Sequence, residues 1–486
     1  MTQDRMVGAG GVRRITARWV VCGELVLESA CHLGNGDEGS HVDLPLLRDR
    51  AQGLPLLLGT SLAGALRSYA CDRLHGYYVR EGDEPDQHDI ALVSRLFGGR
   101  RGDEDGGQSP LIVFDSLAKE AVVEIRDGVA LDAARGTAAE HLKYDQEVLP
   151  AGTRFPVRLE LVVTDPGREA EDLNLLALAL SGLQDGDIPI GARRTRGFGA
   201  CRVSCWQIKR FDLSNREGWM AWLGSDHLAP LAGTPTTNDI VSALRTPADA
   251  SPRVLPDRRD QIRIEVQLRF QGGLLVRSPG HEVNAADASQ LHSGGHPVLP
   301  GTSLAGTLRA RALRIARVVR ATQGDASRWV ERLFGPRMAD DRNRRLEPRA
   351  SRLWTSERRV HDAQSLRVAR IRVDRFTSGV VDGGLFDEEP TYRGRTDVTL
   401  VLRTPEPGEL GLLLLVLKDL LAGDLPVGGS GSVGRGVVAG RAVLHLPGQD
   451  QPVVLDPEAV ADAETVSLLN GHVQLFHDAD SIPEET

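Results

Sequence analysis

The sequence contains little cysteine, no long apolar run and almost no lysine. Its five cysteines in 486 residues form an odd set without Cys-x-x-Cys pairs, which argues against a disulfide framework and against the usual zinc sites. No uninterrupted apolar run is long enough to span a bilayer, and residues 1–14 lack the apolar core of a signal peptide. We therefore expect a cytoplasmic protein that makes no membrane contact.

Positive charge is carried almost entirely by arginine, since only four of the 58 basic residues are lysine. The net charge of −9 is unexpected for a nucleic-acid binder, but the distribution of charge matters more than its sum. Residues 341–375 hold eleven arginines against five acidic residues, and Arg193, Arg194 and Arg196 crowd one glycine-rich loop. Such clusters fit either phosphate binding or ordinary solvated surface.

The chain is a tandem duplication. The run Gly59-Thr60-Ser61-Leu62-Ala63-Gly64 recurs letter for letter as Gly301-Thr302-Ser303-Leu304-Ala305-Gly306, 242 positions later. A repeat of this length has the size of a complete domain rather than of a solenoid unit. We predict a first domain over residues 1–226, a linker over 227–260, a second domain over 261–447 and an acidic tail over 448–486, whose last dozen residues we expect to be disordered.

Each copy has the same order of predicted elements. Thr60 or Ser61 is expected to cap the first helix. An irregular excursion over 126–152 shows no clear turn, whereas its counterpart over 356–394 contains a credible hairpin turn at 382–384. The order β-α-β-excursion-β-α-β predicts an α+β fold with two tandem ferredoxin-like (RRM-like, split βαβ) domains, each with an inserted hairpin. In the first copy the strand predicted over 15–27 alternates polar and apolar residues, and further strands are predicted over 111–114, 155–163 and 200–206. In the second copy strands are predicted over 261–270, near Leu353, over 397–402 and over 437–444.

A glycine-rich loop lies between the last helix and the final strand of each copy. The two loops read Gly191-Ala192-Arg193-Arg194-Thr195-Arg196-Gly197-Phe198-Gly199 and Gly428-Gly429-Ser430-Gly431-Ser432-Val433-Gly434-Arg435-Gly436. Glycines allow the backbone to approach a phosphate closely and to direct N–H groups at it, although turns and bulges also use glycine. Two loops at equivalent positions are a stronger signal than one.

Four ordered motifs together resemble the RAMP superfamily. They are the polar loop ending in Asp43-Leu44-Pro45-Leu46-Leu47-Arg48-Asp49, the repeated Gly-Thr-Ser-Leu-Ala-Gly helix start, Leu96-Phe97-Gly98 with its repeat Leu333-Phe334-Gly335, and the glycine-rich loop. Within that superfamily the chain is most similar to the backbone subunits of type III CRISPR effector complexes that cut target RNA. Family members often carry lysine where this chain has Ala63 and Ala305.

The resemblance implies a protein that lies along a guide RNA, with each excursion acting as a β-hairpin thumb that displaces a base of the guide–target duplex. It implies one cutting aspartate per copy, Asp43 and Asp287. Such a carboxylate can act as a general base or as a ligand of a divalent cation, Mg²⁺ or Mn²⁺. The implied partners are guide RNA, single-stranded target RNA and other effector subunits. The residues expected to contact RNA are Ser61, Arg67, Gly191, Arg193, Arg194, Arg196, Gly197, Gly199, Ser303, Arg309, Arg372, Arg375, Phe386, Gly428, Gly429, Ser430, Gly431, Ser432, Gly434 and Arg435.

Two other functions fit the same sequence. A loop aspartate often only bonds nearby backbone, so the chain could be a scaffold that binds RNA without cutting it. A nuclease that processes the guide precursor is the other alternative, but it needs a histidine or tyrosine placed to move protons, and no such candidate recurs in both copies.

Overall fold

A computed structural model gives the architecture. It describes residues 14–36, 42–77, 87–99, 107–131, 138–226, 231, 233–245, 255–278, 285–320, 323–336, 349–460 and 462–479. Part of the arginine-rich stretch 341–375, part of the predicted linker and the last seven residues of the tail lie outside the described residues.

The first copy has two long strands, one near its start and one after its third helix, that pair with each other. Its strands are β1 (Ala17–Leu27), β2 (Leu56–Leu57), β3 (Leu111–Val113), β4 (Ser116–Leu117), β5 (Glu124–Leu131), β6 (Ala138–Val148), β7 (Arg154–Val163), β8 (Cys201–Asp212) and β9 (Thr236–Thr237). Its helices are α1 (Gly59–His75), α2 (Gln87–Phe97), α3 (Glu169–Asp185), α4 (Arg216–Leu223) and α5 (Ile240–Ala243).

The second copy repeats this order with additional short strands. Its longer strands are β10 (Gln261–Phe270), β19 (Val368–Val373), β20 (Val380–Glu389), β22 (Arg395–Arg403) and β23 (Val438–His445). Its short strands are β11 (Gly273–Leu274), β12 (Arg277–Ser278), β13 (Ala288–Gln290), β14 (His292–Ser293), β15 (His296–Leu299), β16 (Leu353–Thr355), β17 (Arg358–Arg359), β18 (Gln364–Ser365), β21 (Thr391–Tyr392) and β24 (Val453–Leu455). Its helices are α6 (Gly301–Val319), α7 (Gln323–Phe334), α8 (Glu409–Leu421) and α9 (Ala463–Asp478).

Each copy builds one five-stranded antiparallel sheet with the same strand order. The order is β3-β7-β1-β8-β9 in the first copy and β16-β22-β10-β23-β24 in the second. Strand β10 shows how the sequence specifies this layer: its residues alternate between buried and exposed, because successive side chains of a strand point to opposite faces. The mixed α+β class and the duplication are thus confirmed, and each strand predicted above begins within two residues of its observed start.

Helices pack on the sheets and close two separate hydrophobic cores, one in each copy. Helix α8 is apolar on nearly all sides and most of its residues are buried, because α9 covers the side that the rest of the copy leaves open. Among the described helices, none is both long enough and apolar enough to cross a bilayer.

The start of α1, which recurs in the second copy, differs from the predicted cap. Helix α1 begins at Gly59 rather than after a Thr60 or Ser61 cap, and no side chain caps it from the preceding residue, Leu58. Instead, the Asp115 carboxylate accepts the Gly59 N–H at 2.6 Å. Glycine is required here because a Cβ atom would lie 2.2 Å from the Val113 carbonyl oxygen. Spacing from the first apolar residue could not reveal this contact, because Asp115 lies 56 residues further along the chain, between β3 and β4.

Both excursions form antiparallel hairpins. In the second copy β19 pairs with β20, but the predicted turn at 382–384 is wrong because those residues lie inside β20. The chain reverses over residues 374–379 instead, where the Asp374 carboxylate accepts the Phe376 and Thr377 N–H groups at 2.9 and 2.7 Å. In the first copy β5 pairs with β6 from Glu124–Val148 to Leu131–Ala138, although the sequence there showed no clear turn. Residues 132–137 between these strands lie outside the described part. The pairing of long strands therefore specifies the first hairpin without a recognisable turn signal.

Parts of the predicted linker and tail are folded onto the two copies. Strand β9 pairs with β8, and Ile240 and Leu244 are buried in the first core. At the other end, α9 continues to Asp478, and its Phe476 is fully buried against Trp329, with ring centroids 5.2 Å apart. The expectation of disorder from residue 475 onward is therefore wrong as far as the helix extends, because Leu468, Leu469 and Val473 pack against the second core together with Phe476.

A buried ion pair joins the two copies. Arg126 of β5 donates to Glu357 through both terminal nitrogens, with Nη1 2.6 Å from Oε2 and Nη2 3.1 Å from Oε1. The same Oε1 accepts the Ala30 N–H at 3.1 Å, and the Arg126 guanidinium lies over the Phe198 ring. The Arg126 and Glu357 side chains are only 5% and 1% exposed. We call the contact around this ion pair the joint.

A second contact holds the copies together beside α1. The Arg403 guanidinium of β22 stacks between two rings, 4.1 Å from the Tyr77 centroid and 3.6 Å from the Trp354 centroid. Arg259, just before β10, pairs with Asp187 of the first copy at 3.0 Å. Together with the joint, these contacts fix the orientation of one copy relative to the other.

Candidate functional site

The two predicted catalytic aspartates occupy equivalent positions with the same hydrogen bond. Asp43 Oδ2 accepts the backbone N–H of Asp145 at 2.9 Å, and Asp287 Oδ2 accepts the backbone N–H of Asp387 at 2.8 Å. Both aspartates are exposed. Each donor lies on the second strand of the hairpin, about a hundred residues further along the chain, so the aspartates are held by the hairpin and not by a local turn.

The loop that carries each aspartate runs alongside the hairpin strand. Leu44 forms a parallel bridge with Gln146, and in the second copy Ala288 pairs in parallel with Glu388. Because the residue that follows each aspartate is paired with the hairpin strand, the backbone at the aspartate is tied to the hairpin. The arrangement places one exposed carboxylate at the base of each hairpin.

Glu147 holds the loop that carries Asp43 in place, and it was not among the predicted site residues. Its Oε2 accepts the Leu46 N–H at 2.9 Å, and its Oε1 pairs with Arg48 at 3.0 Å. The His32 ring bonds the Glu147 carbonyl oxygen at 2.8 Å. The only sequence signal for this role was the recurrence of Glu147 as Glu389 in the second copy.

The charge around the aspartates differs between the copies. In the first copy, burial and a hydrogen bond with Asp127 raise the pKa of the Asp145 carboxyl, and the neighbouring Asp43 charge adds to this shift. Lys143 pairs with Asp127 at 3.0 Å. In the second copy, Asp387 is instead neutralised by Arg367 at 2.7 Å. The surroundings of Asp43 therefore carry more uncompensated negative charge than those of Asp287.

The glycine-rich loops have matching backbones. Arg193 and Ser430 both adopt the left-handed conformation, with φ of 59° and 61°, before a short turn of 3₁₀ helix. Gly199 closes the first loop, where a Cβ atom would lie 1.7 Å from the Ile190 carbonyl oxygen. Gly436 closes the second, where a Cβ atom would lie 2.0 Å from the Val427 carbonyl oxygen. Part of the glycine content is thus explained by close backbone packing alone.

Several predicted residues meet in a cleft of about 850 Å³ in the first copy. Helix α1 contributes Ser61 to this cleft, and the glycine-rich loop contributes Gly191 and Arg194. The remaining wall is the loop after β1, including Leu44, the neighbour of Asp43. The structure therefore brings the helix start, the glycine-rich loop and the aspartate loop to one surface, although they are far apart in sequence.

Other predicted RNA contacts have structural partners instead. Arg435 is buried and pairs with Glu388 at 2.7 Å, so its guanidinium is turned inward. Arg309 donates to the Phe334 and Gly335 carbonyls at 3.3 and 2.8 Å, where it caps the end of α7. Both guanidinium groups are bound within the protein, so these two side chains are left out of the RNA contacts proposed below.

The remaining members of the predicted RNA set are spread over the helices, loops and hairpin. Arg193 donates to the Tyr144 hydroxyl at 2.7 Å, and Gly197 is buried against the second copy. On the second hairpin Arg372 and Arg375 are exposed, and Phe386 is 38% exposed. The positions that are exposed or partly exposed elsewhere are Arg67, Arg196, Ser303, Gly428, Gly429, Ser430, Gly431, Ser432 and Gly434.

The second hairpin presents apolar side chains to solvent. Ile371, Val373, Val380 and Leu385 are each more than half exposed, and Phe376 at its end is 94% exposed. Large apolar groups are seldom left uncovered on a monomer surface unless something binds there. The hairpin is therefore a candidate contact surface, directly above Asp287.

No described group of three or more His, Cys, Asp or Glu side chains is arranged to hold a metal ion. The donor set at the first aspartate, Asp43 with the Asp145 carboxyl nearby, nevertheless suits Mg²⁺, which is commonly held by one or two carboxylates together with substrate phosphates. Any cation here would therefore be shared with a bound phosphate.

Comparisons with known proteins agree with the duplication. A curated relative is the CRISPR system Cms endoribonuclease Csm3 of Mycobacterium tuberculosis (strain ATCC 25618 / H37Rv), which is 28% identical over 215 residues, corresponding to 39% of this chain and 87% of the relative. The family model of the RAMP superfamily matches residues 24–202 and 274–439, one region in each copy. Since these regions make up more than half of the chain, the protein belongs to the RAMP superfamily and carries the family's domain twice.

Proposed function

We propose that this chain is a guide-RNA-binding backbone subunit of a type III CRISPR effector complex and that it cuts complementary target RNA at Asp43 and Asp287. The observation that supports this most is the identical support of the two aspartates, each bonded to the backbone of its own hairpin. Two unrelated loop aspartates would have no reason to share a partner 102 and 100 residues away. The relative named as an endoribonuclease supports the same reaction class.

Each domain is a ferredoxin-like unit with an inserted thumb. Counting only β1, β3, β7 and β8 in chain order, the sheet runs second, third, first, fourth, and all pairs are antiparallel. That is the order of a split βαβ domain, in which two crossover helices pack on the sheet. The hairpin is inserted between the second and third of these strands.

Guide RNA would lie in the cleft between α1 and the first glycine-rich loop. The cleft offers the Ser61 hydroxyl, the Arg194 guanidinium and the backbone around Gly191. Hydroxyls, guanidinium groups and loop N–H groups are common phosphate partners and carry no base preference, as a subunit that accepts any guide sequence requires.

The hairpins would insert between guide and target. Apolar side chains can wedge between stacked bases, and Phe386 and the exposed aliphatic residues of the second hairpin are suited to this. A base displaced by the hairpin leaves its backbone splayed next to the aspartate at the hairpin base. Target RNA would therefore be presented at Asp43 and Asp287 in a conformation unlike that of a regular duplex.

The chemistry would use the nucleophile of the RNA itself. Holding a target 2′-OH in line with the adjacent phosphorus supplies much of the rate, because the two groups no longer have to find each other. The exposed aspartate would take the 2′-OH proton as the 2′-oxygen bonds to phosphorus and the bond from phosphorus to the 5′-oxygen breaks, with the 5′-oxygen taking a proton from water. The aspartate's bond to the hairpin N–H keeps it in position. A divalent cation, Mg²⁺ or Mn²⁺, shared with the scissile phosphate would stabilise the charge that develops there.

The direct test is an assembled complex with guide RNA and end-labelled complementary RNA. We expect two cuts per chain, none without the guide, and none in the presence of a chelator. A chain that binds guide and target with strong salt dependence but yields no products would instead be a scaffold. The aspartate–backbone bonds fit that second function too, since such a bond can be purely structural.

Replacing Glu147 by glutamine is expected to slow the cut assigned to Asp43 by about 10- to 100-fold, because a displacement of about 1 Å in a reacting group can cost that much. The change removes the charge that holds Arg48 and weakens the bond to Leu46. Rates at the two cut positions would be measured separately. Glu389→Gln is the matched control, since Glu389 bonds Ser365; equal loss at the Asp43 cut from both variants would contradict this role.

Replacing Arg194 by alanine is expected to weaken guide binding without altering sequence preference. Loss of one phosphate contact should reduce the slope of log affinity against log salt by about 0.7 for single-stranded RNA. Fluorescence anisotropy over a salt series measures the slope. The control is Arg168→Ala, an exposed arginine that pairs with Asp165 beside α3; an unchanged slope for Arg194→Ala would place the guide elsewhere.

A further inference from the structure

One pair of side chains ties the first hairpin to the first glycine-rich loop. Arg193 of the loop donates from Nη1 to the Tyr144 hydroxyl at 2.7 Å, and its guanidinium carbon lies over the Tyr144 ring, 4.7 Å from the ring centroid. A cation placed in this way is attracted by the face of the ring as well as by the hydroxyl oxygen. Because Tyr144 belongs to β6 and Arg193 follows α3, the pair joins two segments that are 49 residues apart.

The partner strand of the hairpin leaves room for the Tyr144 ring. Gly128 of β5 lies directly opposite Tyr144, and a Cβ atom on Gly128 would lie 1.9 Å from Cζ of the ring. Even alanine at position 128 would therefore displace the ring and its hydroxyl. The position of the Tyr144 side chain thus depends on a glycine in β5 and on the arginine of the loop.

This pair lies one residue from the bond that holds the first aspartate. Tyr144 precedes Asp145, whose backbone N–H donates to Asp43 Oδ2 at 2.9 Å. Leu44 forms a bridge with Gln146, on the other side of Asp145. A shift of β6 at Tyr144 would therefore move the N–H donor and the aspartate loop together. A displacement of about 1 Å in a reacting group can lower a rate by as much as about 100-fold.

The second copy has different side chains at both positions. Phe386 occupies the position of Tyr144, directly before the residue whose N–H bonds the aspartate, and it has no hydroxyl. Arg370 lies opposite Phe386, where the first hairpin has its glycine. Ser430 has the same left-handed backbone as Arg193 and carries no charge. The contact between hairpin and loop is therefore specific to the first copy.

We propose that Tyr144 and Arg193 are positioning residues of the first cutting site, which tie the hairpin that carries the Asp43 support to the loop that holds the guide. An arginine has five N–H groups, so its bond to Tyr144 leaves others that can bind a guide phosphate. Guide binding at this loop then also fixes the hairpin. This inference rests on the proposed function and adds to it that the first cut depends on the pair, whereas the second cut does not.

The cleavage test uses the assembled complex with saturating guide and target, and it resolves the two products in single-turnover time courses. Tyr144→Phe removes only the hydroxyl and is expected to slow the cut assigned to Asp43 about tenfold. The target concentration for half-maximal rate should stay unchanged, because Tyr144 does not contact RNA in this account. The cut assigned to Asp287 is the internal control and should keep the parental rate. Circular dichroism with a thermal melt would verify that each variant folds.

Two further changes reach the same pair from its other sides. Gly128→Ala displaces the ring without altering a polar group and should slow the same cut alone. Arg193→Lys keeps a cation and an N–H donor for the hydroxyl, so it should retain more of the first cut than Arg193→Ala. A loss that affects both cuts equally, or an Arg193→Lys variant no better than Arg193→Ala, would overturn the inference.

Hydrogen exchange of the full chain without RNA gives a readout that does not depend on cutting. In Tyr144→Phe the peptide containing the Asp145 N–H should exchange about 2- to 10-fold faster, the usual weight of one hydrogen bond, while the peptide containing the Asp387 N–H keeps its rate. Unchanged exchange at Asp145 together with parental rates at both cuts would overturn the inference and leave the proposed function intact. If the parent complex cuts at neither position, the proposed function fails and this inference fails with it.

Discussion

Replacing Asp43 by asparagine slows the cut assigned to the first copy by about 10²–10⁴-fold, the usual contribution of a positioned general base. Asparagine has nearly the same shape, and its oxygen can still accept the Asp145 N–H, so the loop should stay in place. The side chain can no longer take a proton or carry charge. The cut assigned to Asp287 should proceed at the parental rate. Single-turnover time courses that resolve the two products measure both rates.

The matched control for this variant is Asp49→Asn in the same loop. The Asp49 carboxylate accepts the Ala51 and Gln52 N–H groups at 3.0 and 2.7 Å, as aspartates in turns commonly do. We expect that variant to cut at both positions. If Asp43→Asn and Asp49→Asn had the same effect, the role of Asp43 would be structural and the scaffold function would gain support.

Replacing Glu357 by alanine has the largest expected effect on stability, a loss of about 3–5 kcal/mol, because Arg126 would be left buried without a counter-charge. The Ala30 N–H would also lose its acceptor. Urea denaturation measures the free energy of unfolding. A variant with both Arg126→Met and Glu357→Met should recover much of the loss, since a buried ion pair can be replaced by apolar groups of similar volume.

The equivalent position of the first copy supplies the control for Glu357. Asp115→Ala removes only an exposed carboxylate that accepts the Gly59 N–H, so a loss of about 1 kcal/mol is expected, as for other helix-start caps. If Glu357→Ala cost no more than Asp115→Ala, the joint would not depend on its ion pair.

The regular layers of this fold were predictable from sequence, whereas its long-range contacts were not. In strands such as β10, polar and apolar residues alternate so regularly that the pattern predicts both the strand and the face of it that is buried. The start of α1 was misplaced because Asp115, which bonds it, is 56 residues away. The first hairpin lacked a turn signature but has long pairing strands. The α9 helix lies in an acidic tail but packs Leu468, Leu469, Val473 and the fully buried Phe476 against the second core.

The candidate site was predictable where the duplication repeated it. Asp43 and Asp287 were chosen from repeated loops, and the structure gives them the same partner backbone. An arginine in the sequence did not by itself identify an RNA contact. Arg435 pairs with Glu388 inside the protein, and the sequence does not show which charged side chains form ion pairs. Glu147 was overlooked because its role depends on loop contacts about a hundred residues away.

The most direct test of the central claim is the cleavage of one end-labelled target RNA by complexes containing the parent or the Asp43→Asn/Asp287→Asn variant, with guide binding verified in each. We predict two cuts per chain for the parent and intact target for the double variant, whose RNA binding should be unchanged. Parental cleavage by the double variant would contradict the assignment of both aspartates.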